Sequence, residues 1–211
     1  VYNGERWSTA RAYLDPARKR SNLKIQTGSL VHKITFDGTK AVAVTYMSGS
    51  GALKSVQARK EIILSAGAVG SPHILMLSGI GPAAHLQDMG IDVLHDLPGV
   101  GQNLNDHPDF VLKYKCKRPV SIWPKTKGLA KLGAGIQWIL TRRGIVSSNG
   151  FEGLGCIRSG KDVDYPDLQI IITPVAVDDA TWTPLQEHAF QIHVGLMRAH
   201  SRGSCLLYTS P

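Results

Sequence analysis

The 211-residue chain has room for one large domain or two small ones, and a composition of 43% hydrophobic and 19% charged residues excludes collagenous, disordered and disulfide-rich classes. Its longest apolar runs are short and broken by Gly or Pro, well under the roughly 20 residues that span a bilayer. The formal charge of +8 comes from dispersed Lys and Arg without the aromatic-interleaved pattern of a nucleic-acid module; it reads as solvated basic surface, with a weak attraction to an anionic membrane face or an acidic partner left open.

The chain opens on Val1 and its first residues read as mid-domain, so a leader ahead of it is left open. Residues Ser8 to Arg20 are expected to form a helix whose basic last turn suits the helix dipole. The period then changes. Leu23 to Gln26, Leu30 to Phe36, Ala41 to Met47 and Leu53 to Ala58 are short β-branched and aromatic-bearing runs, divided by Asp37-Gly38 and by Ser48-Gly49-Ser50-Gly51. They predict a three-stranded antiparallel meander behind a short lead-in strand, over residues 23–58.

Glu61 to Ser65 has the apolar character of a buried parallel strand. Ala66 to Gly70 follows as a tight loop of small residues, with Ser71 expected as N-cap and Pro72 at the first helical position. Ile74, Leu75 and Leu77 carry that helix to Gly79. A second helix is expected from Gly81-Pro82 to Gly90 as its C′ residue, then a short strand from Ile91 to His95. A turn-rich stretch from Leu97 to Pro108 follows. Leu129, Leu132, Ile136, Ile139 and Leu140 fit one face of a helix ending at Gly144, and Leu168 to Thr173 and Phe190 to Met197 read as strands. Cys116, Cys156 and Cys205 are far apart, with no metal or disulfide spacing, which fits a reducing compartment.

The strand–loop–helix unit over residues 61–81 has a chemical use. Small residues let backbone approach a ligand closely, and a helix N-terminus offers free N–H groups and positive potential to an anion. A dinucleotide needs both, although many such turns serve packing alone.

The residues themselves go further. Gly67-Ala68-Val69-Gly70-Ser71-Pro72-His73-Ile74-Leu75-Met76-Leu77-Ser78-Gly79-Ile80-Gly81-Pro82 resembles a signature of the glucose–methanol–choline (GMC) oxidoreductases, FAD enzymes that oxidise alcohols. Ser8-Thr9-Ala10-Arg11-Ala12-Tyr13-Leu14 upstream resembles the same family, as does Asp96-Leu97-Pro98-Gly99-Val100-Gly101-Gln102-Asn103-Leu104 with Asp106-His107-Pro108 downstream. The likeness runs from about residue 4 to residue 204. Lys117 to Ser121, Ser147 to Glu152 and Gln186 to Arg198 look most like the choline-oxidising members.

The resemblance implies an α/β fold: part of a Rossmann-like FAD-binding domain (1–108), then part of an α+β substrate domain with a mostly antiparallel sheet (109–204). Residues 205–211 depart from the family pattern and look like a non-native tail, set aside from fold reasoning. Val31 matches a position that contacts the adenine of FAD through its backbone, and Ala66 and Gly67 match positions beside the cofactor. From the residues alone, Val31 is equally compatible with packing. Glu152 matches a carboxylate near the trimethylammonium group of choline, where charge and aromatic faces must do the recognising because a quaternary ammonium has no hydrogen to donate; a surface or structural glutamate is the alternative.

His107 and His193 are expected to be structural. The family's catalytic histidine lies in a C-terminal part and its Gly-rich pyrophosphate fingerprint at the N-terminus, and neither is in this sequence. The implied picture is an internal segment, inactive alone, of an enzyme that passes a hydride from an alcohol, expected to be choline, to flavin. A histidine takes the hydroxyl proton and an electron acceptor reoxidises the flavin. An FAD dehydrogenase of an uncharged alcohol, or a non-catalytic binding protein that kept the fold, are the alternatives. Expected location is cytoplasmic or peripheral on the inner membrane face.

Overall fold

The computed structural model describes residues 1–208. A π-helical turn at Ala10–Leu14 runs into α1 (Asp15–Ala17). Then come β1 (Leu30–Asp37), β2 (Lys40–Met47), β3 (Leu53–Gln57), α2 (Gly67–Leu77), β4 (Ile80–Gly81), α3 (Ala83–Asp88), β5 (His95–Asp96) and β6 (Gln102–Leu104). After these follow β7 (Asp109–Lys115), α4 (Gly128–Thr141), β8 (Gly153–Ile157), β9 (Leu168–Thr173), β10 (Ala189–Leu196) and β11 (Gly203–Ser204). The chain forms two compact units, one of residues 24–105 with the segment from His200 onward, the other of residues 1–23 with 106–199.

In the first unit β1, β2 and β3 make the expected antiparallel meander in sequential order. The lead-in strand at Leu23 to Gln26 does not form. No strand pairs with it among the described residues, and three of its four residues are exposed; it is tethered instead by the Gln26 side chain, which donates to the Tyr46 hydroxyl at 2.9 Å. Glu61 to Ser65 is likewise not a strand. Among the described residues no strand lies alongside it to complete a ladder, and while Ile62 and Leu64 are half-buried, Ile63 is 78% exposed.

Helix α2 starts at Gly67, four residues before the expected cap. The run Gly67-Ala68-Val69-Gly70 enters the helix because Gly67 takes φ +83°, cheap only for glycine. Pro72 therefore lies inside the helix and removes one N–H, the donor that Ala68 would otherwise receive. Ser71 does not cap; its Oγ accepts the Ala66 N–H at 3.1 Å.

At the far end Ser78 locks the helix to the meander, since its Oγ donates to the Ile74 carbonyl (2.6 Å) and accepts the Ile34 N–H (2.8 Å). Gly79 then reverses the chain at φ +80°, and a Cβ there would meet the Asp92 carbonyl oxygen at 2.6 Å. Helix α3 ends as expected on Met89 and Gly90, and Asp96 Oδ1 accepts the Ala83 N–H at its start (3.0 Å). Of the strand expected over Ile91 to His95 only His95 is strand, in β5, which pairs parallel with β4.

Met76, Leu86 and Val100 are the buried centre of this unit, with Leu75, Ile80, Ile91, Val93 and Leu207 packed around them. Burial of one such side chain is worth about 1.5–3 kcal/mol. Of the residues set aside on sequence, Cys205 and Leu207 do pack: Cys205 N–H donates to the Gly101 carbonyl (2.7 Å) and Leu207 N–H to His85 Nε2 (3.2 Å). The rest of that expected tail, residues 209–211, lies outside the described residues.

The second unit is built on a four-stranded antiparallel sheet in the order β7-β10-β9-β8. The expected helix over residues 8–20 is shorter here, ending at Ala17. Helix α4 follows its expected face, turning at Arg142 (φ 55°) and Gly144 (φ 91°). It is held by Trp138, whose Nε1–H donates to the Gly4 carbonyl (2.6 Å). Arg142 lies over the Trp138 ring and pairs with Glu5 (2.8 Å), which also holds Arg11.

Candidate functional site

A concavity of the first unit lies between β1 and α2. It encloses about 500 Å³ and is lined by Leu30, Val31, Met47, Ala66, Ile74 and Leu77, with His32 and His73 as its polar members and Gly70 and Leu207 completing the wall. Two of the three expected cofactor residues, Val31 and Ala66, thus share one cavity. Gly67 follows Ala66 directly and shapes the turn by its positive φ; a Cβ there would meet nothing within 4 Å, so conformation and not crowding calls for glycine.

The local sequence explains the shape. Ala66 and Gly70 face each other closely enough that a Cβ on Gly70 would lie 3.1 Å from that of Ala66. The loop therefore presents backbone and methyl groups where larger side chains would fill the space. Val31 sits at the entrance to a β-bulge: Val31 pairs with Tyr46 and Lys33 with Thr45, leaving His32 as the extra residue. The Nδ1 of His32 is buried without a hydrogen-bond partner, a condition that costs about 1–3 kcal/mol when unrelieved. An apolar slot with polar nitrogen in its wall suits a flat heteroaromatic ring, so the residues present fit the adenine end of FAD. Sequence reading missed His32 and His73, because nothing in an alternating strand pattern marks which residue bulges.

Glu152 belongs to the second unit, immediately before β8. Its backbone N–H donates to the Ile172 carbonyl (3.0 Å) and its Oε1 accepts the Ser148 hydroxyl (2.9 Å). The carboxylate is exposed, as is Phe151 beside it. The geometry leaves Glu152 with a free oxygen and a charge facing solvent.

The two histidines are both engaged by protein groups. His107 Nδ1 bonds the Leu196 carbonyl oxygen (2.9 Å). His193, in the middle of β10, joins a chain of polar groups with a readable direction. Val177 N–H donates to Gln191 Oε1 (3.0 Å), so the Gln191 amide nitrogen faces His193 Nε2 (2.7 Å) and donates to it. The imidazole proton then sits on Nδ1, donated to Asp109 Oδ2 at 2.6 Å. Sheet register explains the reach: Asp109 pairs with Gly195, which puts it one diagonal step from His193 on the same face of the sheet. Sequence reading took His193 as a satisfied strand residue but missed Asp109 and Gln191, which are distant partners that only register brings together.

A model of the GMC oxidoreductases matches residues 1–109. The chain is 47% identical over 201 residues to the oxygen-dependent choline dehydrogenase of Serratia proteamaculans, covering 95% of this chain and 36% of that protein. It is 46% identical over 204 residues to that of Staphylococcus xylosus, covering 96% and 36%. It therefore spans about a third of the length of the curated relatives it matches. Among solved structures, a formate oxidase superposes over the whole chain and 41% of its own, with a TM-score of 0.90 at 22% identity. Pyridoxine 4-oxidase from Mesorbium loti superposes over 97% of this chain and 36% of its own, with a TM-score of 0.72 at 27% identity. With its signature residues folded around the β1–α2 cavity, the chain belongs to the GMC oxidoreductase family, whose cofactor is FAD.

Proposed function

We propose that the chain is an internal segment of an FAD-dependent choline dehydrogenase that converts choline to betaine aldehyde. The observation that carries this reading is the co-location of Val31 and Ala66 in one apolar cavity, together with the likeness over 95% of the chain to choline dehydrogenases. Residues 1–108 are assigned to part of the FAD-binding domain and residues 109–204 to part of the substrate domain. That division lies close to the change of compact unit after Asn105, while residues 1–23 pack with the second unit.

When bound, FAD supplies a two-electron acceptor for oxidation of the alcohol carbon. The chain's own residues do three things. Val31, Ala66 and their apolar neighbours exclude water from one end of the cofactor. Gly67 and the first turn of α2 offer unpaired N–H groups and positive potential to an anionic group. Glu152 supplies a carboxylate for the substrate cation, by charge alone, since a trimethylammonium group donates no hydrogen bond.

The test is Glu152→Gln in the full-length protein. The expected outcome is a rise in KM for choline of tenfold or more, about 1.4 kcal/mol per tenfold, with uncharged alcohols handled as before. An unchanged choline KM would favour an uncharged alcohol as the substrate.

A further inference from the structure

The segment between α4 and β8 is shaped by bonds that its own residues make. It enters a 3₁₀ turn at Ile145–Ser147 from Gly144, whose φ of 91° suits glycine. Ser147 N–H donates to the Gly144 carbonyl (3.0 Å) and Ser148 N–H to the Ile145 carbonyl (3.2 Å). Asn149 Oδ1 accepts the Phe151 N–H at 3.1 Å, a local side-chain turn. The Glu152 N–H then reaches the Ile172 carbonyl (3.0 Å) and fixes the end of the segment to β9.

Ser148 stands at the centre of this segment. Its Oγ accepts the Gly150 N–H at 3.0 Å and lies 2.9 Å from Glu152 Oε1. An ionised carboxylate only accepts, so the single hydroxyl hydrogen points at Glu152. The bond is charge-assisted, and it pins one oxygen of an exposed side chain that would otherwise turn freely. Among the described residues Glu152 makes no ion pair, so its charge is not cancelled by the protein's own cations.

Two kinds of cation use a carboxylate differently. A quaternary ammonium is drawn by charge, which falls slowly with distance and asks for no particular direction. A protonated amine gains most from a directed N–H bond of about 2.8 Å, which a carboxylate reaches by turning toward it. Pinned by Ser148, Glu152 keeps its charge for the first and gives up the turn that serves the second. We propose, on the footing that Glu152 holds the substrate cation, that Ser148 is a positioning residue that sets the substrate class. It favours a fully N-methylated ammonium over amines that carry an N–H.

The test compares choline with N,N-dimethylaminoethanol, which is protonated at neutral pH and carries an N–H where choline has a methyl. It uses the full-length protein and its Ser148→Ala, Ser148→Thr and Glu152→Gln variants. Ser148→Ala should lower the choline-to-amine ratio of kcat/KM by about fivefold or more, the size that one hydrogen bond carries. The change should come through a lower KM for the amine, with kcat held within about twofold. Ser148→Thr, which keeps the hydroxyl, should keep the parent ratio. An unchanged ratio in Ser148→Ala, an equal loss on both substrates as from a merely structural role, or a threonine variant that behaves like alanine would overturn the proposal. Glu152→Gln separates the two readings. If it raises the choline KM while Ser148→Ala leaves the ratio alone, choline remains the substrate and only the role of Ser148 falls; if it leaves the choline KM alone, both fall.

Discussion

Asp167 accepts both the Ser159 hydroxyl (2.6 Å) and the Ser159 N–H (2.7 Å), and these bonds hold its carboxyl below the ordinary aspartate value. Asp178 is lowered in the same way by the N–H and hydroxyl of Thr181. A carboxylate with a depressed folded value favours the fold in full above its unfolded range, and that contribution is lost as pH falls through the folded value. Ser159→Ala should therefore move the Asp167 midpoint upward in an NMR titration; an unmoved midpoint would mean that Ser159 is not the cause. Gly79 is a second single-residue test. Its positive φ alone costs a β-carbon about 1–2 kcal/mol, and the Asp92 carbonyl stands in the way. Gly79→Ala should lower stability by more than that figure in a urea melt, and a neutral result would contradict the geometry. His193 is a third: ¹⁵N shifts of the neutral ring should show the proton on Nδ1, and a proton on Nε2 would contradict the Gln191 orientation. At this scale the sequence is informative where backbone chemistry is local, as at Ala66 and Gly67. It is silent where partners come from afar, as with Asp109 and His193, or from a bulge, as with His32.

Elements with their own periodic pattern are legible in the residues alone. The meander, α3, α4, β9 and β10 all fall close to where alternation or helical spacing puts them. The failures share a cause. Glu61 to Ser65 has the composition of a buried parallel strand, yet a strand exists only through neighbours, and none of the described residues provides one. Leu23 to Gln26 likewise has no partner strand among the described residues, and Ser71-Pro72 resembles a helix start although Gly67 lets the helix begin a turn earlier. Helices α2 and α3 are stabilised by what they bury jointly, since Met76 and Leu86 are both fully buried. Leu86→Ala should cost about 2–5 kcal/mol in chemical denaturation, while Leu129→Ala on the exposed face of α4 should change stability by less than about 0.5 kcal/mol. Equal losses at the two positions would contradict the assignment of core and surface.

For the whole molecule, the mixed α and β fold, with antiparallel sheets in both units, agrees with what the sequence implied. Packing of the first 23 residues with the second unit was not legible, because the contacts that fix it, such as Trp138 with Gly4, join residues far apart in the chain. The cofactor side and the proposed choline carboxylate belong to different compact units. Charge on the substrate is what separates choline from its uncharged tert-butyl isostere, and both can be offered to the same flavin. The decisive measurement is anaerobic mixing of the full-length protein with each alcohol while following the visible flavin absorption. Rapid bleaching by choline and at least tenfold slower bleaching by the isostere is the expected result; a protein without bound flavin, or one reduced equally by both, would contradict the proposed function.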